Sequence, residues 1–486
     1  MTTTDHNKPN IVFIMSDDQG AWAMGCAGNP EVRTPNLDRL ASTGTRFENF
    51  FCASPVCSPA RASVLTGRIP SQHGVLDWIR SGNVNKQDLS SEMKDHSEFR
   101  DEKHAIDYLA GQKTYTEVLN ENGYDCALSG KWHLGNSLTP QKGFSHWYTI
   151  GRGGCHYYSP DIVENGEIRI EKEYLTDLIT KDALNVLDHH KEKDNPLYLS
   201  VHYTAPHAPW GRDEHPANIY DSYEACSFTS VPEGEKLPWY KNTIPQMKGQ
   251  KRKEILQGYF AAITAMDQGI GEIIDKIEEM GIRENTLLIF MSDNGMSMGH
   301  HGIWGKGNGT VPQNMYDTAV KVPAIMSQPG HIPQGVVRDE LLSQYDMMPT
   351  LLEYVGLTSP DTKKLPGTSF APLLHGEEME QRDNVVVFDE YGPVRMIRGK
   401  RWKYVHRYPY GPHELYDLEN DPTEAHNLID DPGKKDLIAD MKSRLDQWYL
   451  QYADPERDGA KEGVTGSGQL GLAGIASKGE QVYAQD

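Results

Sequence analysis

The chain has 486 residues, 37% apolar and 24% charged, and enough length for one large and one smaller globular unit. Its 69 acidic residues outnumber 48 basic ones, for a net charge of −21, so a nucleic-acid partner is excluded by long-range repulsion. No apolar run approaches the roughly 20 residues that span a bilayer, and the first ten residues lack the charged start and apolar stretch of a secretory signal. As it stands the chain is expected to be cytoplasmic, or periplasmic or secreted if a signal was removed.

In chain order, residues 10–15 form an uninterrupted apolar run, the pattern of a strand buried on both faces of a parallel sheet. A helix is predicted over 34–43, with Thr34 as N-cap and Pro35 in the first turn. A second helix begins near Ser58. Apolar runs recur at 196–203 and 286–291, the latter preceded by an amphipathic stretch over 251–280. Residues 205–250 read as an irregular excursion. From 376 the pattern changes to short strand-like runs at 384–389, 394–397 and 401–405, then a helix over 433–452. The expected architecture is α/β: a large, mostly parallel sheet flanked by helices over 1–375, and a smaller α+β unit on an antiparallel sheet over 376–452. The Gly-rich arm 453–486 is expected to be disordered or ordered by a neighbouring subunit, making a homo-oligomer.

Ile14-Met15-Ser16-Asp17-Asp18-Gln19-Gly20 resembles Phe290-Met291-Ser292-Asp293-Asn294-Gly295, and each follows an apolar strand. Ligands of open α/β sheets gather beyond the carboxyl ends of the strands. Two such strands side by side would bring Asp17, Asp18, Asp293 and Asn294 around one point. That is a hard oxygen site suited to Ca²⁺ or Mg²⁺. Residues 57–68 place Cys57 at a helix N-terminus with Arg61 one turn on, so Cys57 reads as an activated thiol. For an isolated cysteine the alternative is a buried thiol before an ordinary helix.

Cys57-Ser-Pro-Ala-Arg61 followed by Leu65-Thr-Gly-Arg68 resembles the signature of the type I sulfatases, members of the alkaline-phosphatase-like superfamily. The resemblance continues through Asp17-Asp18, Gly130-Lys-Trp-His-Leu-Gly135, Pro206-His-Ala-Pro209, Asp293-Asn-Gly295, His301-Gly-Ile-Trp-Gly-Lys306 and Glu414-Leu-Tyr-Asp-Leu418. The stretch Gly307–Tyr316 departs from the family's pattern by its greater length. The resemblance implies that a formylglycine-generating enzyme oxidises Cys57 to Cα-formylglycine (3-oxoalanine), whose hydrated form attacks sulfur. It implies that Asp17, Asp18, Cys57, Asp293 and Asn294 bind Ca²⁺ or Mg²⁺, and that Arg61, Lys131 and Lys306 hold the nucleophile and the sulfate. His133 would be the base that restores the aldehyde, and His207 would protonate the leaving alcohol. Lys131 and His133, two apart on an extended segment, should point to one side. Asp77, Trp78, Arg80, His156 and His301 are candidate contacts to a sulfated saccharide or small sulfate ester. Two other activities stay open at this point: a phosphonate monoester or phosphodiester hydrolase with the same nucleophile, and a non-catalytic sulfoglycan-binding protein.

Overall fold

A computed structural model of the protein describes residues 8–360, 364–389 and 393–485. Its centre is a mixed ten-stranded sheet. Five adjacent strands are parallel and lie in the order β5-β1-β4-β2-β3: β1 (Asn10–Ser16), β2 (Asp125–Gly130), β3 (His146–Ile150), β4 (Leu197–His202) and β5 (Thr286–Ser292). Antiparallel strands flank them, Ala324–Ser327 beside β5 and Asp161–Glu164 beside β3. The expected parallel character therefore holds for the centre, where the site lies, and gives way at the edges.

The apolar runs in β1 and β5 are explained by burial on both faces. Ile11, Phe13 and Met15 with Leu287, Ile289 and Met291 belong to one apolar cluster, and Val12, Ile14, Leu288 and Phe290 to another. Successive side chains of a strand point to opposite faces. On the first face lie α2 (Cys57–Thr66) and α5 (Met347–Tyr354), through residues such as Ala62, Leu65, Met348 and Leu351. On the second lie α1 (Pro35–Ser42), α3 (Leu175–His190) and α4 (Gly249–Glu279), through Leu37, Leu40, Ile179, Ala183, Ile270 and Ile274.

Helix α1 begins where the sequence predicts, but its cap differs. The Thr34 side chain makes no capping bond. Instead Asp267 of α4 accepts from the backbone N–H of Asn36 at 3.0 Å and of Leu37 at 2.8 Å. A carboxylate from a neighbouring helix thus satisfies the orphan donors and meets the positive end of the dipole.

The small C-terminal sheet runs Val385–Asp389, Val394–Arg398, Trp402–Arg407, Glu414–Asp417, antiparallel throughout. Helix α6 (Lys435–Tyr452) covers it through Met441, Leu445 and Tyr449. The arm after α6 folds back on its own chain. Gln469 bridges to Ile79, and Leu76, Ala473 and Tyr483 form a small apolar cluster. Among the described residues no helix is long and apolar enough to cross a membrane.

Candidate active site

The register of the parallel strands assembles the site. Ser16 pairs with Ser292, so the turns after β1 and β5 leave the sheet together. Gly130 pairs with His202, so the segments after β2 and β4 do the same. Gly130 is required there: at its φ of 110° a Cβ would lie 2.0 Å from the His202 carbonyl oxygen. Backbone bonds lock the turns to one another, Asp17 N–H to Ala205 O at 3.0 Å, Asp293 N–H to Ser16 O at 3.1 Å and Lys131 N–H to His202 O at 2.8 Å.

Asp17, Asp18 and Asp293 are buried, with carboxylate oxygens within 4.8 Å of one another. Asp18 has φ 65°, an uncommon conformation for a non-glycine residue that re-aims its side chain after the strand. The Tyr259 hydroxyl holds that turn, donating to Asp18 O at 3.0 Å and accepting from Gly20 N–H at 3.1 Å. Asn294 donates from Nδ2 to Asp18 Oδ1 at 2.8 Å and to Gly295 O at 2.8 Å.

Three cations and the His207 ring surround these acids. Lys131 Nζ lies 2.5 Å from Asp17 Oδ2. Arg61 reaches Asp293 Oδ2 with Nε at 3.0 Å and Nη2 at 2.9 Å. Lys306 Nζ bonds Asp18 Oδ1 and lies 2.8 Å from Cys57 Sγ. His207 Nε2 is 3.7 Å from Asp18 Oδ2, while its Nδ1 donates to Ala208 O at 2.7 Å. Burial drives the Asp17 carboxyl upward, but the Lys131 ammonium and His207 outweigh it and hold the group below the usual range. Asp18 behaves likewise beside Lys306 and His207. Asp293 is pushed up by burial and by the Asp17 charge. The negative chain thus gathers three cations, Arg61, Lys131 and Lys306, at this one buried point, each paired with a carboxylate.

Cys57 opens α2, all of whose residues are buried. Burial pushes its thiol up to about 12, against the opposing pull of Lys131 and Lys306. In the unmodified chain desolvation therefore works against the activation expected from the helix N-terminus and outweighs the two cations. His133, at φ 56°, bends the chain so that the strand-like alternation with Lys131 ends there. Its Nε2 donates to Ile79 O at 2.9 Å, and burial, with Lys131 beside it, keeps the ring neutral, well below its ordinary pKa.

The remaining candidates have other partners. Asp77 is buried, and its carboxylate accepts from the N–H groups of Trp78 at 2.7 Å, Gly466 at 3.2 Å and Gly468 at 3.1 Å. Trp78 Nε1 donates to Gly466 O at 3.1 Å, and Arg80 Nη1 to Ser467 O at 3.2 Å. His156 is exposed, with Nδ1 2.6 Å from Glu214 Oε1. His301 stacks on Tyr316 at 3.7 Å. Sequence reasoning missed Gln344, which donates to Ser292 O at 3.0 Å and Asp293 O at 2.7 Å and accepts from Ala53 N–H at 3.1 Å. It ties the second acidic turn to the loop before Cys57, across a sequence separation that leaves no local signal. The Ile79 carbonyl and Gln469 were missed for the same reason.

The donor set fits a divalent cation. Asp17 Oδ1 and Asn294 Oδ1 are buried and have no hydrogen-bond partner among the described residues. Such orphans are rare unless something else satisfies them. With three carboxylates and one amide oxygen the set is all oxygen, as Ca²⁺ and Mg²⁺ prefer.

A parallel-centred sheet with acidic turns beyond its strand ends, facing a helix-borne cysteine, defines the alkaline-phosphatase-like class of hydrolase. The sulfatase family model matches residues 9–357, and that of the N-sulphoglucosamine sulphohydrolase C-terminal region matches 299–451. The chain belongs to the sulfatase family, and it is a sulfuric ester hydrolase. It is 26% identical to an N-acetylglucosamine-6-O-sulfatase of Bacteroides thetaiotaomicron, over 93% of this chain and 88% of that one. It is 29% identical to an ulvan-active sulfatase of Formosa agariphila, over 92% and 82%. A structure solved in complex with its substrate D-glucosamine-2-N,6-O-disulfate superposes with a TM-score of 0.71 at 24% identity, covering 94% of this chain and all of that one.

Proposed function

We propose that the protein hydrolyses the sulfate ester of a sulfated saccharide, with formylglycine made from Cys57 as nucleophile and Ca²⁺ as the cation. The observation that carries this reading is the convergence of Asp17, Asp18 and Asp293 with Cys57, Arg61, Lys131 and Lys306 in one buried site. The saccharide class is supported by the relatives, named for N-acetylglucosamine-6-O-sulfate and ulvan.

Asp17, Asp18, Asp293 and Asn294, with the modified Cys57, would hold the cation, which supplies Lewis acidity toward a sulfate oxygen. The hydrated aldehyde, installed by a formylglycine-generating enzyme, supplies the attacking hydroxyl. This chain's other residues set charge and protons. Lys131 and Lys306 place ammonium groups beside Asp17, Asp18 and Cys57, where they meet the sulfate oxygens and stabilise charge that grows during transfer. Arg61 neutralises Asp293 and fixes it, and also donates to Lys131 O at 3.1 Å. His207 donates from Nδ1 to a carbonyl, so its Nε2 faces the acidic cluster and can deliver a proton to the leaving alcohol oxygen. His133 carries its proton on Nε2 and offers the Nδ1 lone pair as the base that restores the aldehyde.

The test compares nitrophenyl sulfate with a nitrophenyl phosphonate ester, then screens 6-O-sulfated and other sulfated hexosamines, with the Cys57→Ala variant as control. Preferred turnover of sulfate, lost in Cys57→Ala, supports the reading. Preference for the phosphonate ester, or full turnover by Cys57→Ala, overturns it. Mass spectrometry of the Cys57 peptide reads conversion of the thiol to the aldehyde.

A further inference from the structure

Within the glycine-rich arm the Gln469 side chain is fully buried and reaches the loop before Arg80. Its Oε1 accepts from the N–H groups of Leu76 at 2.8 Å and Asp77 at 3.3 Å. Its Nε2 donates to Gly74 O at 3.0 Å and Gly471 O at 2.8 Å. Its main chain donates to Trp78 O at 2.7 Å and accepts from Arg80 N–H at 2.9 Å. The loop 74–80 has no regular ladder of its own, so the arm supplies the backbone partners it would otherwise lack.

Ile79 sits in the middle of that pinned loop. Its N–H donates to Ser58 Oγ at 3.1 Å, on the helix that carries Cys57. Its carbonyl faces His133 Nε2 at 2.9 Å. A carbonyl can only accept, so this contact puts the imidazole proton on Nε2 and leaves a lone pair on Nδ1. Nδ1 is buried and has no hydrogen-bond partner among the described residues. Gly153 presses on the same edge of the ring, where a Cβ would lie 2.2 Å from Nε2, so the ring has little room to turn.

We propose that Gln469 is a positioning residue of the active site: by pinning loop 74–80 it fixes the Ile79 carbonyl, and through it the orientation and tautomer of His133. This rests on the reading of His133 as the proton acceptor. Gln469 lies beyond the residues matched by either family model.

A double-mutant cycle on protein with quantified Cys57 conversion tests it, using nitrophenyl sulfate. Gln469→Ala should lower kcat on the order of tenfold with KM little changed, the scale of a displaced catalytic group. In the His133→Ala background the same change should have no further effect. Gln469→Glu, which keeps side-chain length and an acceptor oxygen, should recover part of the loss, and it replaces Gln469→Ala in the cycle if that variant does not fold. The proposal is overturned if kcat is unchanged, or if it falls by the same factor with and without His133. Full turnover by His133→Ala would instead overturn the reading of His133, so the two failures are distinct.

Discussion

Lys306 Nζ lies 2.8 Å from the sulfur of Cys57 and also bonds Asp18, so one ammonium joins the nucleophile position to the acidic cluster. Burial disfavours that charge, but the Asp18 carboxylate outweighs it and keeps the group well above its ordinary pKa, so Lys306 stays cationic. Lys306→Ala should therefore lower kcat for an aryl sulfate by about 10²–10³, the cost of one preorganised charge-stabilising donor. An unchanged kcat, at equal Cys57 conversion, would remove Lys306 from the machinery.

The orphan oxygens of Asp17 and Asn294 predict a response to cations. Chelated protein should lose activity and regain it with Ca²⁺. Its unfolding temperature should rise with added ion, since an ion at a hundredfold its Kd adds about 2.7 kcal/mol. Titrating Ca²⁺ against Mg²⁺ by thermal unfolding reads the preference. No shift with either would mean that the oxygens serve another purpose.

Lys403 offers a contrast away from the chemistry. It is fully buried, 2.9 Å from Asp317 and in a short bond with Glu424. Lys403→Met would leave the buried Glu424 carboxylate without its cation, while Asp317 keeps Arg398 at 3.0 Å, and breaking such a buried pair costs about 3–5 kcal/mol. Denaturant unfolding should show that loss, while kcat per folded molecule stays at the wild-type value.

Asp267 predicts a pH dependence. Burial pushes its carboxyl up to about 6 from an ordinary 3.8, despite the N–H donors of Leu37 and Asn36. Between those values the folded state binds more protons than the unfolded state, so stability falls as pH rises. The contribution is complete below about pH 4 and lost through about pH 6, on the order of 3 kcal/mol. Asp267→Asn should flatten that part of the stability profile relative to wild type. An identical profile in both proteins refutes the shift.

The strands at 10–15 and 286–291 were legible because burial on both faces demands an unbroken apolar run. Strand β2 was not, since Asp-Cys-Ala-Leu-Ser-Gly carries no β-branched or aromatic residue; its burial between β3 and β4 decides its conformation. The acidic cluster was legible because two similar turns follow two adjacent strands. Asp267 at α1, Gln344 at the second turn and Gln469 at the Ile79 loop were not, because each acts through a distant backbone and leaves no local pattern. Asp77, Trp78 and Arg80 have a composition that suits a sugar and a folded-back arm equally, and in the structure all three hold the arm.

One apolar cluster runs from Ile11, Phe13 and Met15 of the central sheet through Met348 and Leu351 to Val385, Met396, Met441, Leu445 and Tyr449 of the C-terminal sheet and its helix. Neither sheet owns a separate interior on that side. Separating them would expose apolar surface on both, so heat or denaturant should melt the chain in one cooperative step, and a fragment ending near residue 375 should be prone to aggregation.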